Sequence, residues 1–183
     1  MRYPDGHKEA VRASIVASAS EALRRDGLAG VSIPELMRTA GLTHGGFYVH
    51  FANRDELVAE AVMAGAQQTA SRILANDTGD LDDTLRAYLS KEHVAHPEAG
   101  CVLAALGGEG RRQPAPIRDA FARAAKGFVG FIDQKLRKPR RGAAPSDDAL
   151  RLSAQMIGAV VLARLVDDDA LAARILEAAK RRP

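Results

Sequence analysis

The residues best suited to meeting another molecule lie together in THGGFYVHF, residues 43–51. Thr43, His44, Tyr48 and His50 all carry hydrogen-bond donors, and none of them is a carboxylate. Thr43 opens a helical stretch, where its hydroxyl either caps the helix or reaches a phosphate, since first-turn N–H groups and the helix dipole favour an anion. Gly45 and Gly46 each cost about 1 kcal/mol of helix stability relative to Ala. Close packing against the preceding helix is one explanation for either glycine; two in succession on a short helix suggest a partner that approaches the backbone. Phe47 and Phe51 lie four apart and face one way, as core anchors, while Tyr48 is turned by about 100° from Phe47. Tyr48 then either donates to a phosphate or is a half-buried structural tyrosine. His44 projects from the first turn toward a base edge or a phosphate.

A second set is Cys101 with His93 and His96. Either imidazole would lower the thiol pKa if close in space; the alternative is a small buried core residue at the start of a helix. Their spacing matches no standard zinc pattern, so no metal is expected. No glycine-rich phosphate loop follows a strand, no acidic pair forms a recognisable constellation, and no nucleophile has a placed base. The chain therefore does not read as an enzyme, and no cofactor is expected.

The elements that position these groups read as helices. HKEAVRASIVASASEALRRDG carries Val11, Ile15, Ala19, Ala22 and Leu23 at three- and four-residue steps and stops at Gly27. Ser32 and Glu35 have capping-box spacing, Pro34 sits in the first turn, and Gly41 ends that short helix. Thr43 restarts at once, which is the spacing of a helix-turn-helix. Asn53 and Glu56 form another capping pair before a long helix. Beyond it, DLDDTLRAYLSKEHVAH reads as one stripe of Leu81, Leu85, Tyr88 and Leu89 ended by Pro97; further helical patterns cover GCVLAALGGEG, PIRDAFARAAKGFVGFIDQKLR, ALRLSAQMIGAVVLARLV and DALAARILEAAKRR. No alternating strand pattern occurs, and the expected fold class is all-α.

Composition agrees. Aromatics are only 4% and Trp is absent, with Ala and Leu abundant, which favours helix over sheet. No apolar run reaches the length of a membrane span, nothing resembles a signal peptide, and a single cysteine forms no intramolecular disulfide, so the expected setting is the cytoplasm, with no membrane partner. A net charge of +3 is compatible with nucleic acid without pointing to it. The densest basic run, QKLRKPRR at 134–141, reads as a solvated helix end.

The stretch VSIPELMRTAGLTHGGFYVHFANRDELVAEAV resembles the DNA-binding signature of the TetR family of bacterial transcriptional regulators. The resemblance rests on Ser32, the AGL turn, the two glycines, the Phe-Tyr pair, His50-Phe51 and Arg54. It implies roughly nine helices, divided into a helix-turn-helix DNA-binding domain at 1–53 and an effector-binding and dimerisation domain at 54–183. By resemblance Tyr48 and His50 contact the DNA backbone, with packing between helices the alternative for His50. Arg54 stands where the family usually has lysine, a conserved charge for a phosphate. Ser32 and Arg38 flank the first short helix and reach the same backbone. Val49 departs from the basic or polar residue common there, which shifts weight to backbone amides and to Arg2, Lys8 and Arg12. The expected DNA-binding set is Ser32, Arg38, Thr43, His44, Gly45, Gly46, Tyr48, His50 and Arg54.

The resemblance further implies a homodimer on a palindromic operator in double-stranded DNA, released by a small-molecule effector, as a repressor. Leu152, Ile157, Val160 and Val161 are the expected dimer interface, with the core of the C-terminal domain as the alternative, and Gly158 permits close helix approach. Tyr88, Leu89, His93, Cys101, Leu103, Phe121, Phe128 and Met156 combine apolar surface with a few polar handles, as a pocket for a small hydrophobic or aromatic effector would, with core packing the alternative for any one of them. The alternative signal is oxidation or electrophile modification of Cys101, since some regulators of this family sense such compounds through a cysteine.

Overall fold

A computed structural model describes residues 7–75, 80–136 and 144–181, in which the segments with apolar residues at three- and four-residue spacing are helices joined by turns. The N-terminal helices are α1 (His7–Asp26), α2 (Ile33–Thr39), α3 (Phe47–His50) and α4 (Arg54–Ala75). They are followed by α5 (Leu81–Tyr88), α6 (Lys91–Ala95), α7 (Val102–Gly110), α8 (Ala115–Leu136), α9 (Asp147–Leu165) and α10 (Asp169–Lys180). The fold is all-α, and among the described residues there is no strand and no helix long and apolar enough to cross a membrane. Arg2 and most of the basic run, residues 137–141, lie outside the described residues.

Local signals account for most boundaries. Gly27 ends α1 with a left-handed φ of 84°, a backbone that residues with a Cβ adopt only at a cost. Ser32 caps α2 by accepting the Glu35 N–H at 3.3 Å, and Gly41 makes the turn with φ 71°. Asn53 accepts the Glu56 N–H at 2.9 Å while the Glu56 carboxylate accepts from the Ala52 N–H at 2.7 Å, a reciprocal cap at the start of α4. The stripe expected to run unbroken from Leu81 to Pro97 is instead two helices. Ser90 breaks it, because its hydroxyl caps α6 by accepting the His93 N–H at 3.2 Å.

Two apolar clusters result. The first gathers Ile15, Leu23, Met37, Phe47, Phe51, Leu57 and Val62 from α1 to α4 and is completed by Val102, Leu106, Ile117 and Phe121 of α7 and α8. The second contains Leu81, Leu85, Tyr88, Leu89, Ile132, Leu152, Met156 and Val160. The N-terminal helices are thus seated on α7 and α8 and do not hang from α4 alone.

Candidate functional site

The recognition segment begins as a 3-10 turn, His44–Gly46, and becomes α-helical only at Phe47. Phe47 and Phe51 are fully buried, stack with centroids 5.4 Å apart, and fix the segment against α1, α2 and α4. The opposite face is open: Tyr48 is 64% and Val49 59% exposed. Among the described residues, nothing stands within 4 Å of where a Cβ on Gly45 would lie, and one on Gly46 would meet only Met37 Cε and Thr43 Oγ1, both at an ordinary 3.7 Å. Gly46 has φ −65°, open to any residue. Neither internal packing nor backbone conformation therefore requires these glycines.

Thr43 is exposed, and among the described residues its hydroxyl has no hydrogen bond. Arg38 is exposed on α2, while Ser32, also exposed, is engaged as the cap of that helix. The side chain of His44 lies outside the described residues. His50 is half-buried, and its enclosed Nδ1 has no hydrogen bond among the described residues. Burial first, then the charges of Lys8, Arg12 and His7, lower its pKa and favour neutral imidazole. Arg54 turns back into the protein and donates to the Leu28 carbonyl. Arg12, expected as a DNA contact, is likewise held inside. It donates to Glu56 at 2.8 Å, to both Glu60 oxygens and to the His50 carbonyl at 3.1 Å, and lies 4.5 Å over the Phe51 ring. One cation thereby joins α1, the end of α3 and the first turns of α4.

The residues expected at the effector separate into distinct places. Cys101, Leu103 and Phe128 line an apolar cavity of about 220 Å³ between α4, α7 and α8, together with Met63, Ala66, Ala70, Ile73 and Phe131. The α4 residues were missed by sequence reasoning, although Met63, Ala66, Ala70 and Ile73 form one stripe at helical spacing. Tyr88, His93 and Cys101 line a second cavity of about 80 Å³ on the other side of Cys101. Phe121 and Leu103 border an open groove beside Ile157. Leu89 and Met156 are fully buried in the second core cluster and line neither cavity, because they face the helices packed on them.

His93 is a structural bridge. Its Nδ1–H donates to the Tyr88 carbonyl at 2.7 Å, which leaves Nε2 to accept the Cys101 N–H at 2.8 Å. Both ring nitrogens are occupied, so it offers no handle to an effector. Burial lowers its pKa to about 4. The Tyr88 hydroxyl is buried, with no hydrogen bond within normal geometry among the described residues, and desolvation first, then the neighbouring Cys101, raise its pKa well above the usual range. Cys101 is itself buried and precedes the first turn of α7.

Both ends of α7 touch the N-terminal helices. At its start, buried Arg24 of α1 donates to the Gly100 carbonyl at 2.9 Å and to Gln68 of α4 at 2.7 Å. At its end, Glu109 accepts the Leu28 N–H at 3.2 Å. The helices that wall the cavity are therefore also those that hold the recognition segment.

The expected dimer residues divide as well. Leu152 and Val160 face the protomer's own core and are unavailable to a partner, whereas Ile157 and Val161 are half-buried at the rim of an outward apolar stripe on α9. That stripe continues through the exposed Leu150, Leu162 and Leu165, and a Cβ on Gly158 would meet nothing within 4 Å.

A short helix-turn-helix whose second helix presents an open face, joined to a helical domain with an apolar cavity, defines a DNA-binding transcriptional regulator. Residues 15–61 match the family described as bacterial regulatory proteins, tetR family. The chain is 24% identical over 136 residues to the HTH-type transcriptional repressor NemR of Escherichia coli K12, covering 70% of this chain and 68% of that one. The fold superposes on the crystal structure of the reduced form of E. coli NemR with a TM-score of 0.74 at 21% identity, over 95% of this chain and 98% of the other. It superposes on a TetR transcriptional regulator from Chloroflexus aurantiacus with a TM-score of 0.72 at 25% identity, covering 94% and 91% of the two chains. The match to the tetR family model thus falls on the helix-turn-helix and its flanking helices, and the fold as a whole is that of the TetR-family structure from C. aurantiacus.

Proposed function

We propose that this regulator is a cytoplasmic homodimeric repressor that binds a near-palindromic operator and is released by a small hydrophobic or aromatic effector. Residues 1–53 supply DNA contact through Arg38, Thr43, Gly45, Gly46 and Tyr48, with His50 and Arg54 setting the recognition segment in place. Residues 54–183 bind effector and partner, and on this reading the chain binds without catalysing.

The observation that carries the reading is the apolar cavity of about 220 Å³ between α4, α7 and α8. Its walls continue into the Arg12 and Glu109 contacts of the N-terminal helices. A ligand that fits only when α4 and α7 move apart biases the spacing of two recognition segments, and DNA disfavours the same ligand by the same factor. The dimer contact is assigned to the outward face of α9 with α8, at Ile157, Val161, Leu162 and Leu165. The test is binding to the DNA upstream of the gene in the presence of a library of small apolar compounds. Binding to a palindrome there, weakened by a compound that raises the melting temperature, supports the reading; no binding to such DNA overturns it.

A second reading has its own support in the position of Cys101, buried yet lining both cavities. In this version the Cys101 thiol gives its proton to solvent and the thiolate adds to the β-carbon of an α,β-unsaturated carbonyl compound in the cavity; the sulfur–carbon bond forms as the C=C π bond breaks, and the resulting enolate takes a proton from solvent. Cys101→Ser distinguishes the two: it abolishes the response to an electrophile and preserves the response to an inert ligand.

A further inference from the structure

Val49 has no internal role: it is 59% exposed on the segment that Phe47 and Phe51 hold down. At about 100° per residue, the direction opposite the mean of Phe47 and Phe51 is that of Val49. Gly45, four residues earlier, shares that face and leaves it bare, with nothing within 4 Å of a Cβ there. The outermost strip of the segment is thus naked backbone followed by one isopropyl group. Among the side chains described on this face, hydrogen-bond donors stand at its margins, in Thr43 and Tyr48, and the cations Arg38 and Lys8 lie exposed on the neighbouring helices. This suits a negatively charged partner with a narrow apolar feature at the centre of the contact.

From this arrangement we infer that Val49 is a specificity-determining residue that reads the 5-methyl group of a thymine in the major groove. The inference rests on the DNA-binding reading above and deepens it. Among the groups that base pairs present in the major groove, the thymine methyl is the one sizeable apolar group; the others that carry sequence information are donors and acceptors. Val49 can reward the methyl and nothing else. A cytosine in the same place would lose the methyl and have its amino group desolvated against an aliphatic surface without a partner. The bare strip at Gly45 lets the segment sink until this short side chain reaches the base edge.

The experiment starts with selection from randomised duplexes by the full-length protein, followed by replacement of each selected thymine by uracil, one at a time. Uracil removes only the methyl group. The expected result is one thymine per half-site at which uracil weakens wild-type binding about fourfold, and about tenfold to twentyfold when both half-sites are changed. Val49→Ala should melt at the wild-type temperature and show no difference between thymine and uracil there. 5-Methylcytosine at that position should bind wild type better than cytosine does. A uracil scan that is flat for wild type, or an equal dependence in Val49→Ala, overturns the assignment while leaving DNA binding intact. Failure to enrich any duplex overturns the DNA-binding reading and this assignment with it.

Discussion

The two glycines of the recognition segment yield a prediction in which stability and function move in opposite directions. Gly45→Ala adds a Cβ into space empty to 4 Å, and Gly46→Ala adds one with only two neighbours at 3.7 Å. Alanine exceeds glycine by roughly 0.8–1 kcal/mol in a helix interior. Here the residues sit in a 3-10 turn at a helix start, so about half of that applies to each, or roughly 1 kcal/mol for the double variant. For a chain of this length that raises the melting temperature by about 2–4 °C. Against DNA the same methyl groups hold the backbone away, and overlap of this size costs about 1–3 kcal/mol per half-site, about fivefold or more. Differential scanning calorimetry beside fluorescence anisotropy on one duplex measures both effects. A variant less stable than wild type would refute the claim that the site is internally empty. A variant that is stabilised and binds DNA as well as wild type would refute the claim that the emptiness serves DNA.

Other consequences are more local. Gly127 lines the cavity and has no neighbour within 4 Å of a Cβ, so Gly127→Leu should raise the melting temperature and abolish the response to effector while DNA binding persists, as thermal melts with and without ligand will show. Leu162, 55% exposed, should tolerate Leu162→Glu as a folded monomer with at least tenfold weaker operator binding, measurable by analytical ultracentrifugation and gel shift. Arg12→Met should lose about 2 kcal/mol of stability, read by urea titration, because it removes charged hydrogen bonds to α4 and the stacking on Phe51 together. The His93 pKa is depressed to about 4, so the folded state binds fewer protons than the unfolded one. Stability is then full above about pH 6.5 and falls by up to ~3 kcal/mol as the pH drops toward 4. In His93→Gln that part of the acid slope should vanish from pH-dependent urea titrations.

What could be read from the sequence follows the range of each signal. Caps and turns act over three or four residues, so Ser32, Gly41, Asn53 and Glu56 announced the helix-turn-helix before any tertiary contact was known. The burial of Phe47 and Phe51 followed from their spacing in the same way. Long-range partners left no such trace. Arg12 looked like a cation for phosphate, yet it is committed to Glu60, 48 residues away. The charge on Glu60 was visible, but the packing of α1 across α4 was not. His93 looked like a polar handle because a histidine reads the same whether or not both nitrogens are satisfied; only the break at Ser90 brings it between Tyr88 and Cys101. In α9, apolar residues surround most of the helix, so sequence alone did not separate the inward Leu152 and Val160 from the outward Leu162 and Leu165.

The central claim is that the open face around Gly45, Gly46, Tyr48 and Val49 docks on duplex DNA. Its most direct measurement is an anisotropy titration of wild type and Gly46→Glu against a duplex selected by wild type, repeated across a range of salt. Wild type should show log K falling linearly with log salt, as release of counterions from phosphates requires, and Gly46→Glu should fold normally and lose specific binding at every salt. Equal binding by the two proteins, or wild-type affinity independent of salt, would contradict the account.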